Sequence, residues 1–555
     1  MSLMSSFNYD APLTSHLEFS RYYKKFKEEL NNGYFEHLLE KYILNSKHYV
    51  CVTCVPSKTL EAKRKQAMDN KMKTIKDNMS EQEINDLIKM NQDLLKYQNH
   101  VDTKEELKSL PTLKIKDLSK DIFDLESKKV KVNGMNGISH NVSTNHISYL
   151  KLYFNMNKVQ FEDLKYAYLL YELLLGVPTA NYDVVSLNNL IDTYLGEFQF
   201  GEICSPLSKN DYNFHFKVEL SALDEFVSYM PKALNEVLLH SKFPKKLVLQ
   251  TLKQVLNNMK RYIMRNGHSV ARLEASSYES IGYAVEAKAF KGIKLYEDLK
   301  NLLDNFDYKT INEKLKEVSK RLFNKKNVFF SISGDEHSLN LLKEALKEVK
   351  LPRKEYDDIL EVKLNEKKDI ALVIPSDVNY NAISTNFEDL GYKFNGAYGV
   401  LNTIVNYDYL WNNVRVKGGA YGCSIGSNKS NDLYMSSYRD PNVKYTYEQY
   451  LHLDEFVKNY TASKSEFETY IIGTCAGFEK PMSVPATIKV SDVNYINGYT
   501  KKMRLARKKE IIKTKISDIN NLSDVIKKSI ETGTKCSVGN KDKLSEYHFD
   551  EIHTL

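Results

Sequence analysis

The sequence predicts an α+β protein of 555 residues, in which two similar units follow a long helical hairpin. Three observations lead to this fold class. Runs with the alternation of β-strands lie beside runs with helical spacing. Residues 57–110 contain neither proline nor glycine. A pattern of helix, strand and polar break occurs three times, and its last two copies each close a unit of roughly 200 residues, a common domain size.

The hairpin is predicted from residues 57–110, which are rich in Lys, Glu, Met and Leu. The run "SEQE" is a capping box in which Ser80 and Glu83 satisfy each other's backbone amides. We therefore expect two long helices with a break near residues 78–80. A coiled-coil interaction module that recruits a partner is an alternative, although sustained heptads are lacking.

The first unit contains two predicted strands, "HISYLKLYFNM" and "FHFKVEL". Between them, "FEDLKYAYLLYELLLGVP" predicts an apolar helix that ends near Gly176. A later helix begins at Pro244 and ends at Gly267. In the second strand the residues expected to face the core are Phe214, Phe216, Val218 and Leu220, and those expected to face outward are His215, Lys217 and Glu219.

The second unit repeats this plan from about residue 351. We predict a strand at "IALVIPS", a helix at "GAYGVLNTIVNYDYLWNNV" and a last strand at "GTKCSVGNKDKLSE". Two strands joined by a polar turn are predicted from "YGCSIGSNKSNDLYMSSYRDPN".

The first copy of the repeated pattern, "YILNSKHYVCVTCVPSKTLE", has only a short segment before it. We therefore expect residues 1–56 to be the end of a similar domain whose body is absent. Cys51 and Cys54 fall in its predicted strand and would point to opposite faces. This favours buried thiols over a zinc or redox pair, and no disulfide framework is indicated.

Composition excludes several classes of function. The 79 basic and 72 acidic residues give a net charge of +7, which does not require a nucleic-acid partner. The basic run at residues 501–515 predicts a helix with a solvated basic face, and a phosphate-binding patch is the alternative. No run of about 18 uncharged apolar residues predicts a membrane span. The N-terminus does not resemble a signal peptide, so the chain is cytosolic or an internal fragment with an added start.

A search for catalytic motifs finds neither H-x-x-E-H nor H-E-x-x-H, the patterns that place two imidazoles and a carboxylate on one helix face. In "HLLEK" a lysine replaces the second ligand of His37, and in "HFDEIH" His548 and His553 are five positions apart. These three residues are predicted to be surface histidines. The run "GGAYG" lacks the Lys-Ser/Thr of a phosphate loop and follows a helix rather than beginning one.

The stretch "VRVKGGAYG", residues 414–422, carries the candidate site. Arg415 lies near the end of a helix that Gly418 or Gly419 terminates, and Tyr421 begins the next strand. The turn brings the two side chains together at one end of the sheet. A guanidinium can bind a carbonyl or carboxylate, and a phenol can donate to a developing oxyanion. The structural alternative is a helix-capping arginine and a core tyrosine.

The order of strand, helix, "RVKGGAYG", hairpin and "SYRDPN", after a helical hairpin and a "PTLKIKDL" connector, resembles the pitrilysin-type zinc metallopeptidases of the presequence-protease subfamily. The resemblance implies two homologous α/β-roll domains with mostly antiparallel sheets. It implies the tail of a second domain at residues 1–56, the linking hairpin at 57–110, a third domain at 111–350 and a fourth at 351–555.

The same resemblance implies a metalloendopeptidase that degrades short unfolded peptides, such as targeting peptides or haemoglobin fragments, in a closed chamber. Its zinc is bound by an N-terminal half that this chain lacks, so this chain supplies no metal ligand and no catalytic residue for the zinc chemistry. Arg415 and Tyr421 correspond to residues that contact the substrate and the transition state, in a loop supported by Gly418, Gly419 and Gly422.

The resemblance further implies an organellar location: mitochondrion, plastid or apicoplast, or parasite food vacuole. The chain alone is expected to be inactive and to need the N-terminal half as its partner. The alternative function is that of a non-catalytic peptide-binding or scaffold subunit with the same fold.

Overall fold

A computed structural model of the chain describes residues 2–57, 59–98, 100, 103, 105–106 and 109–555. The chain divides into two compact units, Met1–Pro111 and Thr112–Leu555. We describe each unit by itself.

The first unit contains short helices where a β-rich end of a domain was expected. The predicted strand at "KHYVCVTCV" is wrong: residues 46–57 have neither helical nor strand structure, and Cys51 and Cys54 are exposed rather than buried. A strand needs a hydrogen-bonded neighbour, and none of the described residues pairs with this segment. Before it lie helices α1 to α3, at Ser2–Asn8, Phe19–Glu29 and Tyr34–Leu39, and a π-helical turn at Glu40–Leu44.

The predicted pair of long helices is confirmed as α4, Leu60–Asp77, and α5, Glu81–Gln98. The capping box is present at the break between them. The backbone N–H of Ser80 donates to Oε2 of Glu83 at 2.8 Å, and the N–H of Glu83 donates to Oγ of Ser80 at 3.3 Å. Residues 58, 99, 101–102, 104 and 107–108 of the predicted hairpin lie outside the described residues.

The first sheet of the second unit, sheet A, has the strand order β1-β2-β6-β3-β5-β4. The β2–β6 pair is parallel and the other pairs are antiparallel. Its strands are Lys128–Val132, Met135–Asn141, Ile147–Asn155, Glu197–Pro206, Tyr212–Leu223 and Val328–Gly334. Its helices α6 to α14 are Leu164–Leu173, Val184–Tyr194, Tyr229–His240, Lys245–Arg265, Gly267–Ser277, Ile281–Glu286, Ile293–Asp304, Tyr308–Leu322 and Glu336–Lys347.

Sheet B has the order β12-β7-β11-β8-β10-β9, in which β7 to β11 repeat the topology of β2 to β6. In both sheets the first of these five strands pairs in parallel with the last. The strands β7 to β12 are Ile370–Val373, Tyr380–Asn386, Gly422–Ser427, Asp432–Tyr438, Thr534–Gly539 and Glu551–Thr554. The helices α15 to α23 are Gly396–Ile404, Lys444–Leu451, Leu453–Lys458, Lys464–Cys475, Val484–Ile496, Lys501–Lys513, Ile516–Asn520, Ser523–Thr532 and Lys541–Leu544.

This shared topology confirms the predicted α+β class, with two similar mixed sheets packed by helices. The predicted domain limits at residues 350 and 351 stay a prediction. Residues 352–369 connect the sheets without helix or strand. Each sheet has its own apolar core, which includes Leu150, Phe216 and Phe330 for sheet A and Val400, Leu433 and Val525 for sheet B.

The two sheets exchange helices. Helix α10, from the sheet A part, packs on sheet B, where Ser276 Oγ lies 2.9 Å from Ser384 Oγ. Gly267 begins this helix against the Tyr380 ring, where a Cβ would approach to 2.2 Å. In return, helix α19 from the sheet B part packs on sheet A, where Tyr495 stacks on Phe329 at 5.5 Å between ring centroids. A third apolar cluster joins the two parts through Val270, Ala271, Leu372 and Val538.

The prediction that Lys217 faces outward to solvent is wrong, because this face of sheet A is covered. Lys217 and Lys151 are both 7 % exposed. At the centre of this face, Asp492 of helix α19 accepts hydrogen bonds from Tyr153 at 2.8 Å and Ser331 at 2.6 Å. Its carboxylate also lies 2.9 Å from Nε2 of His140 and 3.2 Å from Nζ of Lys151. A buried polar network therefore joins helix α19 to sheet A.

The basic helix at residues 501–515 is present as α20, but its basic residues are only partly solvated. Lys508 is 2 % exposed and lies 2.6 Å from Glu479. Lys501 pairs with Asp121 at 2.9 Å, and Arg504 pairs with Asp124. These last two acidic partners come from the connector before sheet A. The basic face therefore holds the connector in place, which is evidence against a free phosphate patch.

Candidate functional site

The candidate site begins where helix α15 continues as a π-helix over Val405–Lys417. Arg415 lies in its last turn, and Gly418 is the C-cap residue. The N–H of Gly419 donates to the Arg415 carbonyl at 2.8 Å, and the N–H of Ala420 donates to the Val414 carbonyl at 3.2 Å. The helix therefore ends where the glycine pair was predicted to end it. π-Helical segments are rare and frequently lie at functional sites.

The three glycines of this loop differ in what they require. At Gly418 a Cβ would lie 2.5 Å from the Val414 carbonyl oxygen, so a side chain there would clash with backbone. Gly419 has φ +81°, a left-handed conformation that favours glycine. At Gly422 the nearest atom to a Cβ would be 3.7 Å away, an ordinary contact. Gly418 and Gly419 therefore support the loop sterically, and Gly422 does not.

The segment "SYRDPN" holds the loop from the other side. Asn442 donates from Nδ2 to the Gly418 carbonyl at 2.6 Å, and the N–H of Tyr421 donates to the Arg439 carbonyl at 3.3 Å. Asp440 is fully buried and accepts from Thr446 Oγ1 at 2.6 Å. The two motifs that carry the family resemblance therefore form one structural unit.

Arg415 and Tyr421 lie side by side at the end of sheet B. The guanidinium carbon of Arg415 is 3.9 Å from the Trp411 ring centroid and 5.7 Å from that of Tyr421. Among the described residues, no carboxylate forms a salt bridge with Arg415. Stacking on Trp411 limits the orientations of the guanidinium and leaves its N–H donors free for a ligand.

The structural alternative for Tyr421 is excluded, because this side chain is 66 % exposed and is not part of a core. Its ring contacts Tyr438, at 5.9 Å between centroids. Tyr438 in turn contacts the imidazole of His268, at 4.8 Å. Burial, together with the charge of Arg272, holds the pKa of His268 below its usual value, so this imidazole is neutral near pH 7.

Cys423, two residues after Tyr421, is not poised to act as a nucleophile. Burial raises the pKa of its thiol to about 11, and the nearby charge of Arg415 only partly opposes this effect. The thiolate is the reactive form of cysteine, and it is scarce at neutral pH when the pKa is this high.

The equivalent turn of sheet A shows what the fold alone requires. There, helix α7 ends at Tyr194, and strand β4 begins at Glu197 after only Leu195 and Gly196. This turn contains no arginine and no glycine pair. Arg415 and the glycine pair therefore exceed what this topology needs to join a helix to its edge strand.

Comparisons with known proteins agree with this architecture. Residues 54–302 match the model of the associated region of subfamily C of the M16 peptidases, and residues 369–539 match the PreP C-terminal domain. The chain is 24 % identical to presequence protease 1, chloroplastic/mitochondrial, of Arabidopsis thaliana, over 93 % of this chain and 48 % of that protein. The chain belongs to the presequence-protease group of the M16, or pitrilysin-type, peptidases.

The chain spans about half the length of the curated relatives it matches. Protein HypA of Clostridium perfringens is 30 % identical over 98 % of this chain and 56 % of its own length. An M16 inactive domain from Pseudomonas fluorescens has a similar fold, with a TM-score of 0.54 and 14 % identity over 75 % of this chain and 98 % of that domain. A narrower hypothesis from the Lys-, Asn- and Tyr-rich composition, that malarial falcilysin is the most similar member, stays a prediction.

The residues of this M16 site do not fit a zinc ion. Arg415 is cationic, and Trp411 offers no ligand atom. In the described part of the chain, only His146, Asp224 and Asp335 bring three potential ligand atoms within 4.8 Å of one another, and these residues belong to the sheet A part. Both Asp224 oxygens already accept hydrogen bonds, from Ser148 at 2.7 Å and from Ser338 at 3.0 Å.

Histidines outside the site also differ from expectation in one case. His37 and His548 are exposed, as predicted. His553 was predicted to be an ordinary surface histidine, but it lies in strand β12 and its Nδ1 is 2.8 Å from Glu297. This hydrogen bond raises the pKa of His553.

Three neighbours of the site were missed by the sequence patterns: Trp411, Tyr438 and His268. A signal was available only for Trp411. It precedes Arg415 by four positions, the spacing of neighbours on an α-helix. Tyr438 and His268 are distant from the loop along the chain, so only the fold brings them to it.

The glycines make a stability prediction. Gly418→Ala is expected to lower the free energy of unfolding by about 1–3 kcal/mol, because its Cβ meets a backbone oxygen that cannot move away cheaply. Gly422→Ala is the matched control and is expected to change it by less than about 0.5 kcal/mol. Urea denaturation followed by circular dichroism measures both. Equal effects of the two substitutions would contradict this account of the loop.

Proposed function

We propose that this chain is the substrate-contacting half of a zinc metalloendopeptidase and that Arg415 and Tyr421 contact the peptide being cleaved. One observation carries the proposal. An exposed tyrosine and an arginine without a carboxylate partner among the described residues lie side by side on a loop that the duplicated turn of sheet A does not need. Membership of the M16 peptidases gives such a pair a peptide substrate.

The chemistry of the pair suits a peptide under attack. The Arg415 guanidinium offers several N–H donors in a plane, which matches a carbonyl or carboxylate oxygen. The Tyr421 hydroxyl can donate a hydrogen bond to an oxygen that gains negative charge. Trp411 orients the guanidinium from its other side. Zinc, which polarises a peptide carbonyl and activates water, would be held by the N-terminal half.

Exposed apolar side chains in the first unit support a partner. Phe7, Tyr9, Leu17, Phe19 and Leu44 are each more than 70 % exposed. Apolar surface on this scale marks an interaction site. We propose that the N-terminal half of the enzyme covers it.

The substrates proposed are short unfolded peptides, such as targeting peptides or haemoglobin fragments, degraded in a closed chamber. The name of the Arabidopsis relative supports the first kind, since it is a presequence protease. An organellar location is the matching proposal, although relatives in Clostridium perfringens and Borreliella burgdorferi come from bacteria. No helix among the described residues is long and apolar enough to cross a membrane. The mild net charge gives no reason to propose a nucleic-acid partner.

The second candidate function is a non-catalytic peptide-binding or scaffold subunit. The Pseudomonas fluorescens structure, described as an M16 inactive domain, supports this alternative because its fold resembles that of our chain.

A reconstitution experiment tests the proposal. The 555-residue chain alone is expected to retain less than one zinc per molecule by mass spectrometry and to leave a quenched fluorogenic peptide uncleaved. Addition of the N-terminal half of a presequence protease is expected to restore cleavage. His146→Ala identifies any zinc held adventitiously by the His146, Asp224 and Asp335 group. Stoichiometric zinc with turnover by the chain alone would contradict the proposal, and peptide binding without turnover after reconstitution would favour the scaffold.

A further inference from the structure

A small cavity in the sheet A part lies apart from the residues considered so far. It has a volume of about 230 Å³ and lies among helices α6 and α9, strand β4 and the π-helical turn Ala287–Lys291. This volume is below the range of about 300–1,000 Å³ that is usual for drug-sized ligands. The cavity therefore suits one side-chain head or a small ion, and not a length of peptide.

Three aromatic rings in contact with one another form much of its wall. Tyr168 and Tyr171 are nearly parallel, with ring centroids 6.1 Å apart and planes at 15°. Phe290 meets both rings edge to face, at 6.0 Å and 6.2 Å. Tyr262, which is 36 % exposed, lines the side that reaches solvent. Aromatic rings grouped in this way attract cations through the negative electrostatic potential of their faces.

The charges on the wall favour a cation. Glu172 and Glu202 contribute two carboxylates, and Lys291 contributes one ammonium. Lys291 is already occupied, because its Nζ lies 3.0 Å from Glu202. Glu172 has a hydrogen bond from the Tyr168 hydroxyl, but no basic side chain of the described residues pairs with it. Burial raises the pKa of Glu172, as is normal for a carboxylate without a cationic partner.

The cavity's own cation does not fill the aromatic part. Among the described residues, no lysine or arginine lies within cation–π distance of Tyr168, Tyr171 or Phe290, although such contacts occur elsewhere in the chain, as for Lys165 over Tyr166 at 5.5 Å. A partly buried carboxylate beside unoccupied aromatic faces is an arrangement complementary to an organic cation, whose charge meets the carboxylate while its weakly hydrated surface meets the rings.

We propose that this cavity is a binding site for an organic monocation, a guanidinium or alkylammonium group, with Glu172 as its counter-ion and Tyr168, Tyr171 and Tyr262 as its aromatic wall. The proposal does not depend on peptidase activity. The cation is either a free small molecule or the end of an arginine or lysine side chain in a peptide, and the chemistry of recognition is the same for both.

A pair of isosteric ligands tests the charge requirement on the unmodified chain. N-acetyl-arginine methylamide and N-acetyl-citrulline methylamide have nearly the same shape, but only the first is charged. Isothermal titration calorimetry at low ionic strength is expected to show binding of the arginine compound at least about tenfold tighter, the size expected for a partly desolvated cation–π and carboxylate contact. Equal affinity for the two compounds would overturn the proposal.

Two substitutions locate the binding in this cavity. Glu172→Gln and Tyr262→Leu are each expected to weaken binding of the arginine compound by about tenfold, for loss of the counter-ion and of an exposed ring. Glu313→Gln removes an exposed glutamate on helix α13 and is the matched control. Circular dichroism checks that each variant is folded. An unchanged affinity in both cavity variants would overturn the proposal.

Tetramethylammonium and N-acetyl-lysine methylamide distinguish the possible sources of the cation. Binding of tetramethylammonium that Glu172→Gln weakens assigns the site to free ammonium compounds. Binding of only the amide-flanked arginine and lysine compounds assigns it to peptide side chains. Either result supports a cation site. Failure of all three cations to bind would overturn it.

Discussion

Replacing Arg415 with alanine is expected to lower kcat of the assembled peptidase by about 10²–10³, the loss typical of removing one donor to a developing oxyanion. Tyr421→Phe is expected to cause a loss of the same size, because it removes only the hydroxyl and keeps the ring contact with Tyr438. Steady-state cleavage of a fluorogenic peptide by the chain combined with its N-terminal half measures both variants.

Lys417→Ala is the matched control for Arg415→Ala. Lys417 is an exposed cation two positions away, and its Nζ contacts Asn413 at 3.0 Å. It should retain nearly normal turnover. Arg415→Lys keeps the charge without the planar donors and should recover only part of the activity. Normal kinetics in both Arg415→Ala and Tyr421→Phe, with normal folding, would return the pair to a structural role.

Asp492→Asn is expected to lower the free energy of unfolding by about 3–5 kcal/mol, the cost of breaking a buried charged network by removing one member. Asp492 is fully buried, and its loss of charge leaves Lys151 and its imidazole partner His140 without their anion. Asp192→Asn is the same change on an exposed face of helix α7 and should have little effect. Urea denaturation compares the two. A loss below about 1 kcal/mol would contradict the central place given to this network.

The same carboxylate predicts a pH dependence. Burial alone would raise the pKa of Asp492, but the hydrogen bond from His140 and the charge of Lys151 hold it below its usual value. Because the folded-state pKa is depressed, this stabilisation is complete above the unfolded value of about 3.9 and disappears as the pH falls through the lower, folded-state pKa. Denaturation midpoints should therefore fall more steeply in wild type than in Asp492→Asn below about pH 4. Parallel acid profiles would count against this assignment.

Sequence patterns predicted those parts of the fold that depend on nearby residues. The Ser80 and Glu83 capping box, the end of the helix at Gly418 and the hairpin of β9 and β10 each follow from contacts within a few positions. The edge strands β1, β4 and β12 were not identified. Their pairing depends on partners from other parts of the chain, as for Glu551 beside Ile370.

The site was predicted only in part for the same reason. The proximity of Arg415 and Tyr421 follows from a short turn. The neighbours Tyr438 and His268 come from another strand and from the exchanged helix α10, so no local pattern shows them. The π-helix is also hidden, since the residues of Val405–Lys417 are compatible with an ordinary helix until the surrounding packing selects the wider turn. The false strand around Cys51 is the converse case, in which a suitable sequence lacks a partner among the described residues.

The exchange of helices α10 and α19 has a consequence for how the protein came to be one molecule. Each sheet is completed by a segment encoded with the other, so neither part separated at residues 352–369 carries all of its own interior. A nick in that connector should leave two fragments that remain associated and fold only when both are present. The duplicated halves thus behave as obligate companions, in which a mutation in one copy is felt first in the stability of the other.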